Sequence, residues 1–196
     1  MLGHSMGSFL LRQYLGLYGD GISGAIVMGT GSKSNLLLTA GKVLCRIIAF
    51  GKGWEYRSKL VNNMAFGGFN KKFSQETNGS DWLSRNPVNS QKYAKDPLCS
   101  FVFTVNAYYQ MFCGILAVNH QEKNGKIPKT LPIFLVAGKD DPVGNFGKSV
   151  ENIYKNYKSC GIEDVSMKLY ENDRHEILNE VDRSLVFDDL LTWMEK

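Results

Sequence analysis

The chain opens MLGHSMGSFLLRQYLGLYG (residues 1–19), and Gly3, His4, Ser5, Met6 and Gly7 within it have the form Gly-x-Ser-x-Gly. That pentapeptide makes a sharp turn between a buried strand and a helix and lifts a serine hydroxyl above the end of a sheet. Three fixed positions recur by chance in roughly one chain in fifteen of this length, so the flanks decide the reading. Downstream, Phe9, Leu10, Tyr14, Leu17 and Tyr18 recur at three- and four-residue steps and Gly19 stands at a cap position, which predicts a helix over 6–18. Its first N–H groups then face the serine, and the Met6 N–H is the natural donor to a developing negative charge. Upstream, only Met1 and Leu2 remain to supply the strand.

Beyond this helix, GAIVMGTG (24–31) and LPIFLVAG (131–138) are short apolar runs between turn residues, the form of strands buried on both faces of a parallel sheet. Val150, Ile153, Tyr154, Tyr157 and Cys160 repeat at helical spacing ahead of Gly161. VSMKLYE (165–171) reads as a third strand, and RSLVFDDLLTWMEK (183–196) as a closing amphipathic helix. The alternation predicts an α/β fold with a parallel sheet. The segment 33–126 interrupts it. It is rich in aromatics and helical apolar patterns, and far longer than an ordinary strand-to-helix link. An excursion of this kind at a strand end is where a lid over a site sits; helices merely packed on the sheet are the alternative.

The 196 residues have the size of one domain, and a 43% hydrophobic fraction suffices for a real core. The formal charge of +4 is mildly basic, its Lys and Arg read as a scattered, solvated surface with no basic stripe, and nothing in the chain forms a nucleic-acid motif. Cys45, Cys99, Cys113 and Cys160 have neither paired metal-ligand spacing nor disulfide-scaffold density, so free thiols in a reducing, cytoplasmic setting are expected, with no metal and no cofactor. No secretion signal is read at the start, and the apolar stretch 101–118 is interrupted by Asn106 and Gln110, which reads as a buried or pocket-lining helix.

A serine hydroxyl needs a base within hydrogen-bond reach and a third group to orient that base. Asp140 and Asp141 follow the strand at 131–138, and His175 follows the strand at 165–171. Together with Ser5 they stand just past strand carboxyl ends, where open parallel sheets gather their ligands. Of the two aspartates Asp141 is favoured as the orienter, the other being read as a turn residue with a local backbone bond before Pro142; Asp173 is the least favoured acid. His4 and His120 read as surface or structural residues.

GHSMGS, LPIFLVAGKDDPVGNFGKSV, KLYENDRHEILNE, DWLSRN and YAKDPLC together resemble the monoacylglycerol lipase and lysophospholipase branch of the α/β-hydrolases, also labelled serine aminopeptidase S33 or hydrolase 4. The resemblance covers essentially the whole chain. It implies Ser5 as nucleophile, His175 as general base, Asp141 as orienter and the Met6 N–H as one oxyanion donor. It implies hydrolysis of a small lipid or ester through an acyl-enzyme, with at most transient contact with a membrane surface. In that family roughly a hundred residues precede the elbow and hold the first strands and a second oxyanion donor. The chain is therefore expected to be the C-terminal part of such a fold: a three-stranded remnant with a helical lid at 33–126, an exposed apolar edge at 24–29, and pairing with a missing N-terminal half. A catalytically impaired remnant and an aminopeptidase are the competing readings.

Overall fold

The structure, a computed structural model, describes residues 1–73, 79–123 and 127–196; residues 74–78 and 124–126 of the expected insert lie outside these. Among the described residues four parallel strands form one sheet in chain order: β1 (Leu2–His4), β2 (Ala25–Met28), β3 (Ile133–Gly138) and β4 (Val165–Tyr170). The expectation of three strands with an open edge at 24–29 is corrected here. Three residues suffice for β1, because Leu2, Gly3 and His4 pair with Ile26, Val27 and Met28. The ladder is extended at both ends, by Ile26 N–H to Met1 O at 2.8 Å and Ser5 N–H to Met28 O at 3.0 Å. The outer strand on this side is therefore β1, and β2 is sandwiched and fully buried.

Side chains alternate across β2 and β3 and so feed two layers. Ala25, Val27, Ile133 and Leu135 meet Leu11 and Leu15 of helix α1 (Met6–Tyr18) and Val150, Ile153 and Tyr157 of helix α6 (Lys148–Ser159). Ile26, Met28, Phe134 and Val136 meet Val186 and Leu190 of helix α7 (Arg183–Met194). Helices thus cover both faces, as a parallel sheet of apolar strands requires. Gly19 ends α1 but keeps a right-handed conformation, and the chain continues through a 3-10 turn at Gly19–Gly21 rather than reversing at a left-handed cap.

Between β2 and β3 the described residues are helical: α2 (Asn35–Lys52), α3 (Lys59–Phe66), α4 (Pro87–Lys95) and α5 (Val105–Lys123), with short 3-10 turns. Ser34, Ser58 and Asn86 cap α2, α3 and α4 by accepting a first-turn N–H. These helices have a core of their own, in which Leu38, Cys45, Val61, Tyr108 and Phe112 are buried together. The sequence-predicted apolar helix at 101–118 is α5, its boundary moved by a few residues.

Candidate active site

Ser5 stands between the end of β1 and the first residue of α1 with φ 54° and ψ −120°, a conformation that L-residues avoid. Such backbone costs about 1–3 kcal/mol and persists only when its surroundings determine it. Here they do. The Ser5 N–H is held by Met28 O, while Ser5 O accepts from the Ser8 N–H at 2.9 Å and from Ser8 Oγ at 2.5 Å. Gly3 is required because a Cβ there would lie 2.5 Å from Gly7 O and 2.9 Å from Leu11 Cβ. The strand therefore runs close under the helix it launches, and the Met6 N–H is among the first-turn groups that have no intrahelical acceptor.

Two other strand ends bring the partners. His175 Nε2 lies 2.8 Å from Ser5 Oγ, and His175 Nδ1 lies 2.9 Å from Asp141 Oδ2. Asp141 and His175 are both buried. The loops after β3 and β4 approach so closely that a Cβ on Gly138 would fall 2.2 Å from Asp173 O. Asp140 points elsewhere: its carboxylate pairs with Lys72 at 2.6 Å, and its N–H donates to Asp173 O. The local turn bond expected of the non-orienting aspartate is made instead by Asp141, whose Oδ1 accepts from the Val143 N–H at 2.8 Å. One carboxylate makes both contacts, one through each oxygen.

The sequence reading missed several neighbours of this series. The Trp82 ring packs on the His175 ring at 5.0 Å between centroids, and the His4 ring lies 4.8 Å away on its own hydrogen bond to His175 O. Burial and the neighbouring His175 hold the His4 imidazole below its usual pKa, which suits a neutral structural residue. Arg12 of α1, buried, donates two bonds of 2.7 Å to Glu122 of α5 and two more to Thr30 and Gly31. DWLSRN carried the only sequence signal for Trp82; a lone Arg within a helical pattern gives none of its burial.

Ser5 and Met6 line a cavity of about 600 Å³ that reaches into the insert. Its walls include Phe9, Leu38, Phe66, Phe69, Trp82, Phe103, Tyr108 and Phe112, and among the described lining residues there is no Asp or Glu. A serine oxygen in the wall of an apolar cavity, hydrogen-bonded to an imidazole that a buried carboxylate holds, can attack an electrophilic carbon and hand its proton to the ring.

Residues 1–182 match the family model described as serine aminopeptidase, S33. No curated protein matches the chain in sequence. Among solved structures it is similar to a thermostable carboxyl esterase from Bacillus coagulans, at 26% identity and a TM-score of 0.88 over 100% of this chain and 63% of that one. It is also similar to a lipase in an open form (24%, 0.82, 99% of this chain and 63% of that one) and to monoglyceride lipase from Saccharomyces cerevisiae (20%, 0.69, 100% and 64%). The last two likenesses concern the fold alone. The chain spans less than two thirds of the length of each.

Proposed function

The chain belongs to the serine aminopeptidase S33 family of α/β-hydrolases, and from that premise we propose that it is a serine hydrolase of carboxylic esters, of the lysophospholipase or monoacylglycerol lipase type. The observation that carries the reading is the hydrogen-bonded series Ser5–His175–Asp141, with Ser5 in the wall of a large apolar cavity. Ser5 Oγ attacks the ester carbon as its proton passes to His175 Nε2, and the carbonyl oxygen becomes an oxyanion beside the Met6 N–H. The tetrahedral carbon then expels the alcohol, which takes that proton from His175. Water, deprotonated by His175, attacks the acyl-Ser5 carbonyl; the acid leaves and Ser5 regains its proton.

The insert helices act in this reading as a lid whose aromatic and aliphatic walls receive the acyl chain. The aminopeptidase alternative is weakened by the lining. A free α-amino group needs a carboxylate, and the charged residue on the described wall is Lys33. Four free cysteines support a reducing, cytoplasmic setting. No described helix is long and apolar enough to cross a membrane, and transient surface contact through the insert is part of the proposal. So is pairing with further strands along the outer side of β1, which among the described residues bounds the sheet.

The test is covalent labelling with a fluorophosphonate together with hydrolysis of p-nitrophenyl butyrate. Both should vanish in Ser5→Ala. Equal labelling of the two proteins would remove Ser5 from its role, and turnover that appears only after an N-terminal family segment is added would identify this chain as one half of the working enzyme.

A further inference from the structure

Residues Asp81–Arg85 of the insert lie along the loop 173–182 that carries His175, and polar atoms build the contact. The Glu176 N–H donates to Leu83 O at 2.7 Å, and the His175 N–H is directed at Trp82 O at 3.4 Å. Arg174 Nη1 donates to Asp81 O at 2.6 Å. Glu180, with no exposed surface, accepts from the Arg85 N–H at 3.0 Å, the Arg174 N–H at 2.9 Å and Ser84 Oγ at 3.2 Å. The Arg85 guanidinium then meets three carboxylates: it donates to Asp173 and, at 2.7 Å, to Asp182, and its Nε lies 3.5 Å from Glu180.

Three carboxylates converging from one loop repel one another, and two of them are buried. A cation among them offsets that repulsion, and Arg85 arrives from the other side, on the insert. We propose that Arg85 is a positioning residue for His175: it clamps the 81–85 segment onto the histidine loop and so fixes the backbone from which the imidazole reaches Ser5. Asp173 is two residues from His175 and its carbonyl is bonded to the Asp140 N–H, so the clamp also ties the loop bearing Asp141. The insert thereby does more than cover the cavity. The inference rests on His175 acting as the base.

The experiment compares wild type, Arg85→Gln and Arg85→Lys, with Ser5→Ala as blank, by steady-state p-nitrophenyl butyrate hydrolysis and by the far-downfield proton resonance of the His175 Nδ1–H bonded to Asp141. Arg85→Gln should lower kcat about 100-fold, the size of loss produced by a displacement near 1 Å originating away from the chemistry. KM should stay within about threefold while the downfield resonance broadens or disappears; Arg85→Lys should recover at least about tenfold of the rate. Asp182→Asn removes a half-exposed partner and leaves the core untouched; it should show the same signature at about fivefold and carries the test if Arg85→Gln does not fold. Unchanged kcat and an unchanged resonance in Arg85→Gln would overturn the inference alone. A wild type with neither Ser5-dependent turnover nor a downfield His175 proton would overturn it together with the proposed function.

Discussion

Asp141 and His175 are joined through the ring nitrogen that faces away from Ser5: Oδ2 of the buried carboxylate lies 2.9 Å from Nδ1, while the other carboxylate oxygen is fixed by the Val143 N–H. A carboxylate accepts only, so Nδ1 carries the proton and Nε2 presents its lone pair to Ser5 Oγ. That is the tautomer the proposed general base requires, and the contact with Asp141 favours it.

Replacing Asp141 by Asn should invert that tautomer, since the amide can donate to Nδ1, and turnover of p-nitrophenyl butyrate by an active preparation should fall about ten-thousandfold. Asp140→Asn removes only a half-exposed ion pair with Lys72 and should cost less than about tenfold. The reverse ranking of the two variants would transfer the orienting role to Asp140.

Much of this was legible because period and punctuation are local. The helix after Ser5, the buried runs at 25–28 and 133–138 and the approach of three strand ends follow from apolar spacing and glycine positions. What escaped depends on distant pairing. Three residues became a strand because β2 offered them a ladder, and no propensity in Leu2–His4 reveals that. Arg12 and Glu122, 110 positions apart, read as ordinary surface charges until folding buries them on each other. Asp173, weighed only as a substitute acid for His175, belongs to the Arg85 cluster, a relationship set by the insert's return path.

The Arg12–Glu122 pair makes a stability prediction. Glu122 also accepts the Tyr157 hydroxyl, and both charged side chains are less than a tenth exposed. Glu122→Gln leaves the guanidinium buried without its counter-charge and should cost about 3–5 kcal/mol in urea unfolding. Arg12→Met/Glu122→Leu should recover part of that loss. About 1–3 kcal/mol remains for the stranded Tyr157 hydroxyl. A double variant no better than Glu122→Gln would show that the pair contributes through shape rather than charge.

Burial, and then the repulsion of Asp182 and Glu180, push the Asp173 carboxyl up to about 7 against the opposing pull of Arg85. A carboxyl raised in the folded state above its ordinary 3.8 favours folding at low pH, and that contribution is lost as pH climbs from about 4 through about 7. Asp173→Asn removes the dependence. Its Tm relative to wild type should rise between pH 5 and pH 8 and level off above, with Arg85 still held by Asp182 and Glu180. A difference in Tm that is flat or falls over this interval would contradict the assignment.

The outer face of α2 makes the last prediction. Leu36, Ala40, Val43, Ile47 and Phe50 follow one another at four- and three-residue steps, opposite the buried Leu38, Gly41, Cys45 and Ala49, and Phe50 is 97% exposed. An apolar stripe turned to solvent asks for a partner. Charge chooses it. Residues 32–72 hold eight Lys and Arg against one Glu, so this stretch carries more than the whole net charge of +4. A second copy would set two such surfaces against each other, whereas an anionic bilayer attracts the cations and accepts the stripe, at about 1 kcal/mol for each Lys or Arg near the surface. Leu37 and Met64 are half-exposed and also line the cavity that Ser5 lines, so this side of the insert borders the site. The Ser5→Ala protein should sediment with vesicles containing phosphatidylserine, less so in high salt, and weakly with phosphatidylcholine alone. Ile47→Asp/Phe50→Asp should abolish sedimentation and leave hydrolysis of soluble p-nitrophenyl butyrate unchanged in the Ser5 background. Concentration-dependent dimers that disappear in that variant, without vesicle binding, would assign the stripe to a second copy instead.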